Sequence, residues 1–193
     1  MSKISVDPTR DVLIIVDVQN DFCPGGALAV PNGHEVIPVI NRLLRHRWLS
    51  IATKDWHPAE HSSFEAHGGP WPLHCVQETP GAELHPELDA ANIKLIITKA
   101  SQHDKDAYSG FDGTELAKIL REKGVQRVVV CGLATDYCVR ATAHDALREG
   151  FEVLVLEDAI RGVEVNPGDC QRTIDELRKA GAQVIVSSDL SFN

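Results

Sequence analysis

The chain has 193 residues, 43% of them apolar and 24% charged, and a formal net charge of −9. That length suits a single domain with a sizeable core, residues 1–193, and the acidic balance, with no Lys/Arg cluster, argues against a nucleic-acid partner. No run approaches the roughly 20 apolar residues of a membrane span, and the apolar stretch before Asp17 is only five residues long, too short for a secretory leader. The five cysteines are an odd number with no CxxC pair, which fits reduced thiols in a cytoplasmic protein better than a disulfide framework.

In chain order, near-continuously apolar runs rich in β-branched residues predict strands at 12–16, 49–53, 94–98, 127–131, 152–156 and 183–186. Strands buried on both faces read this way. Helical periodicity fills the intervals at 35–46, 113–123, 137–149 and 168–179. Gly124, Gly150 and Gly181 stand at the ends of the last three, where glycine stops a helix. Such alternation implies right-handed crossovers and a mainly parallel sheet covered by helices on both faces. Residues 55–92 break the alternation with Pro, Gly, His and Trp. A segment that long is a functional loop or a disordered one, and Trp56, Trp71 and the histidines argue against disorder.

An open parallel sheet binds ligands outside the carboxyl ends of its strands. The residues that follow each apolar run are therefore the candidates. Asp17 follows the first, Asp55 and His57 the second in KDWH, Lys99 the third, and Cys138 lies a short turn past the fourth in CGLATDYCV. Singly, each has a bland reading as a loop cap, a solvated lysine or a small buried thiol. Together on one sheet edge they offer a base, a cation and a nucleophile. Thr135 and Asp136 are expected to cap the helix that starts there. The N-terminus of that helix, with Lys99, is expected to lower the thiol pKa. His74 adds a second imidazole to Asp55 and His57, a donor set suited to Zn(II), Fe(II) or Mn(II). His61 is a fourth ligand or a neighbour of the ligands. Cys75 is left out, since adjacent residues on an extended chain point apart. Phe22 and Trp71, on loops at the same edge, can sandwich a flat ring.

The segments DVLIIVDVQNDFCPGGALAV, TKDWHPAEHSSF, WPLHCVQETPGAELHPEL, ITKASQHDKDAYSGFDGTEL and VVVCGLATDYCVRATAHDAL resemble, as a set, the nicotinamidase/pyrazinamidase branch of the isochorismatase-like cysteine hydrolases. The resemblance spans about residues 11–188. It implies a three-layer α/β/α fold around a six-stranded, mainly parallel sheet. It implies a catalytic triad of Asp17, Lys99 and Cys138, and an oxyanion hole from the N–H groups of Ala134 and Cys138 beside a cis Leu133–Ala134 bond. It implies a divalent metal on Asp55, His57 and His74, zinc first and Fe2+ or Mn2+ as alternatives, with Ser63 acting through water and His61 nearby. Phe22, Trp71, Leu133 and Ala134 would meet the substrate. The implied reaction is hydrolysis of nicotinamide to nicotinate and ammonia through a cysteine thioester, with pyrazinamide as a second substrate, in a cytoplasmic enzyme of NAD salvage. Its partner would be a small molecule, with no nucleic acid or membrane, and homo-oligomerisation is left open. Two readings compete: a related amidase for a carbamoyl or maleamate-like substrate, and a non-catalytic binding or redox protein. DWHP and PLHC favour the metal-dependent branch, and Cys138 counts against an isochorismatase proper, which cleaves a vinyl ether without a thiol.

Overall fold

The structure, a computed structural model, describes residues 3–192. In chain order these form β1 (Ile4–Val6), β2 (Asp11–Val16), α1 (Val36–Leu44), β3 (Leu49–Asp55), β4 (Leu95–Lys99), α2 (Leu116–Glu122), β5 (Arg127–Leu133), α3 (Arg140–Arg148), β6 (Glu152–Arg161), α4 (Asp169–Ala180), β7 (Gln183–Ile185) and β8 (Leu190–Phe192). Six strands make one parallel sheet in the order β4-β3-β2-β5-β6-β7. β2 is buried along its whole length, and alternation sends its side chains to two cores. Leu13 and Ile15 meet Ile37, Ile40 and Leu44 of α1. Val12, Ile14 and Val16 meet Leu116 and Leu120 of α2, Ala143 and Ala146 of α3, and Leu177 of α4. Helices thus cover both faces, and the fold is a three-layer α/β/α sandwich. Among the described residues no helix is long and apolar enough to cross a membrane.

Several strands outrun their apolar stretches. β3 continues to Asp55 and β4 to Lys99, paired in register with each other, because these polar residues are themselves buried on the ladder. β5 passes Cys131 to reach Leu133, and β6 follows it to Arg161 across a register shift between Val130 and Gly132. Gly132 has φ 111°, and a Cβ there would lie 2.1 Å from the Val16 carbonyl oxygen. Only glycine lets β5 lie so close to β2 at that point. β1 and β8 pair with each other in a separate parallel ribbon, each too short to show a periodicity. α3 starts only at Arg140, after a π-helical turn at Thr135–Val139. Thr135 and Asp136 do not cap it: the turn has no side-chain cap. Asp136 instead accepts from the Val163 N–H at 2.9 Å and the Glu164 N–H at 2.8 Å.

The chain runs from β2 through β3 to β4 on one side, then resumes beside β2 with β5 and continues to β7 on the other. The carboxyl ends of β2 and β5 therefore part into a crevice, where such sheets bind ligands. The segment after β3 is ordered over that crevice. It carries short 3-10 turns at Glu65–His67, Pro80–Ala82 and Ala90–Asn92, bridges His57 to Val76 and Phe64 to Trp71, and buries Phe64, Cys75, Ala82 and Leu88.

Candidate active site

The exits of β2, β3 and β4 and the turn after β5 each deliver a polar group to the crevice. Asp17 leaves β2 with φ 48°, fully buried. Its Oδ1 accepts from the Thr53 hydroxyl at 2.6 Å, and Lys99 Nζ lies 3.0 Å from Oδ2. The same ammonium bonds Asp55 Oδ1, donates to the Ala107 carbonyl at 3.2 Å and reaches Cys138 Sγ at 3.5 Å. Cys138 sits on the π-helical turn. One acceptor or thiol atom from each of Asp17, Asp55 and Cys138 lies within 4.8 Å of the others.

The electrostatics differ from the expected lowered thiol. Burial pushes the Cys138 thiol well above its ordinary range; Lys99 opposes this, while the Asp17 and Asp55 charges reinforce it. The helix-end and lysine effects are therefore outweighed by desolvation and by two carboxylates. Burial also raises Asp17, although Lys99 pulls it down. Burial would raise Asp55 too, but Lys99 and His57 outweigh it and hold the carboxyl well below the usual range. Burial disfavours the Lys99 cation, yet the two carboxylates overcome that and keep it charged. Burial thus disfavours the Cys138 thiolate and raises the proton affinity of Asp17 beside it, which suits Asp17 to take up the thiol proton.

Asp55 faces two ways. Its Oδ2 lies 3.6 Å from His57 Nε2, and Asp55, His57 and His74 each offer a ligand atom within 4.8 Å of the others, all buried. His57 Nδ1 bonds the Ala100 carbonyl at 3.2 Å and His74 Nδ1 the Pro72 carbonyl at 2.7 Å. Carbonyls at Nδ1 place the proton there and leave each Nε2 lone pair free, the pattern that metal-binding histidines adopt. Burial and His57 also lower the His74 pKa, though the Pro72 carbonyl opposes them, which favours the neutral ring a ligand needs. The donor set therefore fits a divalent ion. His61 does not join it. Its Nδ1 accepts from Ser63 Oγ at 2.7 Å and its Nε2 meets the Lys105 carbonyl at 3.3 Å, so both ring nitrogens and the Ser63 hydroxyl are already engaged. Its ring rests 4.3 Å from that of His57.

A cavity opens above these groups. Cys138, Ala134, Asp55 and His74 line its polar side, and Phe22, Trp71, Tyr108 and Tyr137 its aromatic walls. The Leu133–Ala134 bond is cis. Leu133, expected against the substrate, does not line the cavity. Its side chain is fully buried and packs into the core under α1, because it is the last residue on the β5 ladder and faces into the layer.

Sequence reasoning missed four contributors. Gln19 is fully buried; its Nε2 donates to the Asp55 carbonyl at 2.8 Å and the Ala82 carbonyl at 2.9 Å, while its Oε1 accepts from the Asp55 N–H at 2.8 Å. β2 has turned away by then, and this side-chain amide replaces the missing strand partner of Asp55. Its place in DVQNDF, two residues past Asp17, was an available signal. Phe64 presents its ring edgewise to His57, His61 and His74 at 5.5, 5.8 and 5.4 Å. Tyr137 adjoins Cys138 in sequence, but Tyr108 lies in a stretch without periodicity and carries no such signal.

The isochorismatase domain family matches residues 11–189. This chain belongs to the isochorismatase family. Within that family it is 42% identical over 187 residues to the nicotinamidase/pyrazinamidase of Mycobacterium tuberculosis, covering 91% of this chain and 98% of that one. Among solved structures, the pyrazinamidase of Pyrococcus horikoshii in complex with zinc is 52% identical, with a TM-score of 0.86 over 92% of this chain and 99% of that one. The L. infantum PnC1 in complex with nicotinate is 41% identical, with a TM-score of 0.93 over 99% of this chain and 100% of that one. The isochorismatase-family sheet explains why the strand-end residues converge: the β2/β5 crevice is where its chemistry must sit.

Proposed function

We propose that this protein is a nicotinamidase, an amidohydrolase that converts nicotinamide to nicotinate and ammonia and also accepts pyrazinamide. The observation that carries the reading is the junction of a buried Asp17–Lys99–Cys138 cluster with an aromatic-walled cavity that also reaches Asp55 and His74. Nicotinamidase and pyrazinamidase relatives over nearly the full length support it.

A flat pyridine ring fits between Phe22 and Trp71, with the carboxamide turned toward Cys138. Asp17 takes the thiol proton as sulfur attacks the carbonyl carbon. The N–H groups of Ala134 and Cys138 receive the developing oxyanion, and Lys99 stays a cation that balances Asp17 and Asp55. Protonated Asp17 then gives its proton to the departing ammonia, leaving a thioester on Cys138. Water, with Asp17 as base, cleaves the thioester and restores the thiol. A divalent ion held by Asp55, His57 and His74, most simply the zinc named for the Pyrococcus relative, would supply a Lewis-acidic anchor for the ring nitrogen. All five cysteines are free, which supports a cytoplasmic setting.

The test is ammonia release from a panel of nicotinamide, pyrazinamide, an N-carbamoyl amino acid and maleamate, using protein of known metal content. Nicotinamide is expected to be the preferred substrate. Turnover of the open-chain amides alone would replace this reading with the related-amidase one. His57→Ala is expected to lose metal affinity by more than the about 10–100-fold that loss of an outer hydrogen-bond partner costs. Metal content after dialysis measures this, and a content equal to that of the unaltered protein would remove His57 from the ligand set.

A further inference from the structure

We propose that Tyr108 is a positioning residue whose hydroxyl sets the pose of the Trp71 indole over the cavity. The inference deepens the nicotinamidase reading and rests on it for the identity of the ring that Trp71 covers. The Trp71 backbone is fixed, since its N–H donates to the Ser63 carbonyl at 3.0 Å and its own carbonyl accepts from the Glu65 N–H at 2.7 Å. Those bonds leave the side-chain torsions free. Among the described residues, the hydrogen-bond partner of the indole is Tyr108, whose Oη accepts from Nε1–H at 3.0 Å. The Tyr137 ring stands edge-on to Trp71 at 5.2 Å and tilted against Tyr108 at 5.8 Å, so the three rings form one wall of the cavity.

Tyr108 is itself held from both sides. The preceding carbonyl, Ala107 O, accepts from Lys99 Nζ at 3.2 Å. Two residues on, the Gly110 N–H donates to Thr142 Oγ1 of α3 at 3.0 Å. The phenol therefore links the loop that carries Trp71 to the lysine beneath the reacting groups and to a helix of the scaffold. Without that link the indole samples other rotamers. Apparent affinity falls by the fraction of time the closed pose is lost. The reacting atoms are untouched once substrate is seated, so the effect belongs in KM and not in kcat.

Tyr108→Phe keeps the ring and removes only the acceptor. It is expected to raise KM for nicotinamide about three- to tenfold, the worth of one ordinary hydrogen bond, and to change kcat by less than about twofold. Trp71→Phe removes the donor instead. Adding Tyr108→Phe to that variant is expected to raise KM no further, because the two groups act through one bond. Binding of nicotinate, measured by calorimetry, is expected to weaken in the same pattern without any turnover. An unchanged KM in Tyr108→Phe, or effects that simply add in the double variant, would overturn the proposal while leaving the nicotinamidase reading intact. Protein that binds nicotinate with this pattern but releases no ammonia from nicotinamide would overturn the function and keep Tyr108. No nicotinate binding by the unaltered protein overturns both.

Discussion

Replacing Lys99 with methionine is expected to abolish amide hydrolysis and to remove about 3–5 kcal/mol of stability. Lys99 is 1% exposed, and its ammonium is shared between two buried carboxylates, Asp17 and Asp55. Methionine matches its length and fills the space, so the loss is electrostatic and not one of packing. It leaves two charges in the interior with no cation between them, the case in which breaking a buried pair costs most. Since a domain of this kind is stable by only about 5–15 kcal/mol, urea unfolding will detect the change directly. Adding Asp17→Asn removes one of the stranded charges. The double variant is expected to regain part of the stability and none of the activity. Stability of Lys99→Met within about 1 kcal/mol of the unaltered protein would mean that Lys99 does not hold this cluster together.

Cys138→Ala is expected to lower kcat by about 10⁴-fold or more, the scale on which loss of a covalent nucleophile acts. The fold should tolerate it, since the hydrogen bond of the thiol is with Lys99 of the reacting cluster and alanine is a smaller residue of similar polarity. Nicotinate binding is expected to survive, which separates loss of chemistry from loss of the pocket. Cys138→Ser is expected to be nearly as inactive: Asp17 is a weak base for a hydroxyl, whose proton is far harder to remove than a thiol's. A rate within tenfold of the unaltered enzyme in either variant rules out Cys138 as the nucleophile.

The strand-end logic made much of the site legible. Asp17, Lys99 and Cys138 each follow an apolar run, and a parallel sheet collects whatever follows such runs at one edge. What it could not reveal is how far the ladder continues beneath those residues. Asp55 and Lys99 look like loop residues just past their strands, yet they pair in register, because a buried ion pair meets the burial demand that an apolar side chain would otherwise meet. The thiol environment was misjudged for the same reason: helix ends and lysines can be read from a sequence, while desolvation depends on the whole packed surround. Leu133 was expected at the substrate, but it closes the β5 ladder with its side chain buried in the core, a direction that the sequence does not report. Tyr108 and Phe64 reach the site from irregular loops, where no period reports direction.

Asp17 stands in the left-handed backbone region, with φ 48°. That conformation is easy for glycine, tolerable for asparagine and aspartate, and costly for longer or branched side chains. Aspartate enters this conformation more readily than most residues and carries a group that can exchange a proton. The backbone and the chemistry thus favour the same amino acid independently. An engineer who wished to retune this base would have to keep that backbone pose at the exit of β2, where Gly132 of the neighbouring strand packs against the Val16 backbone.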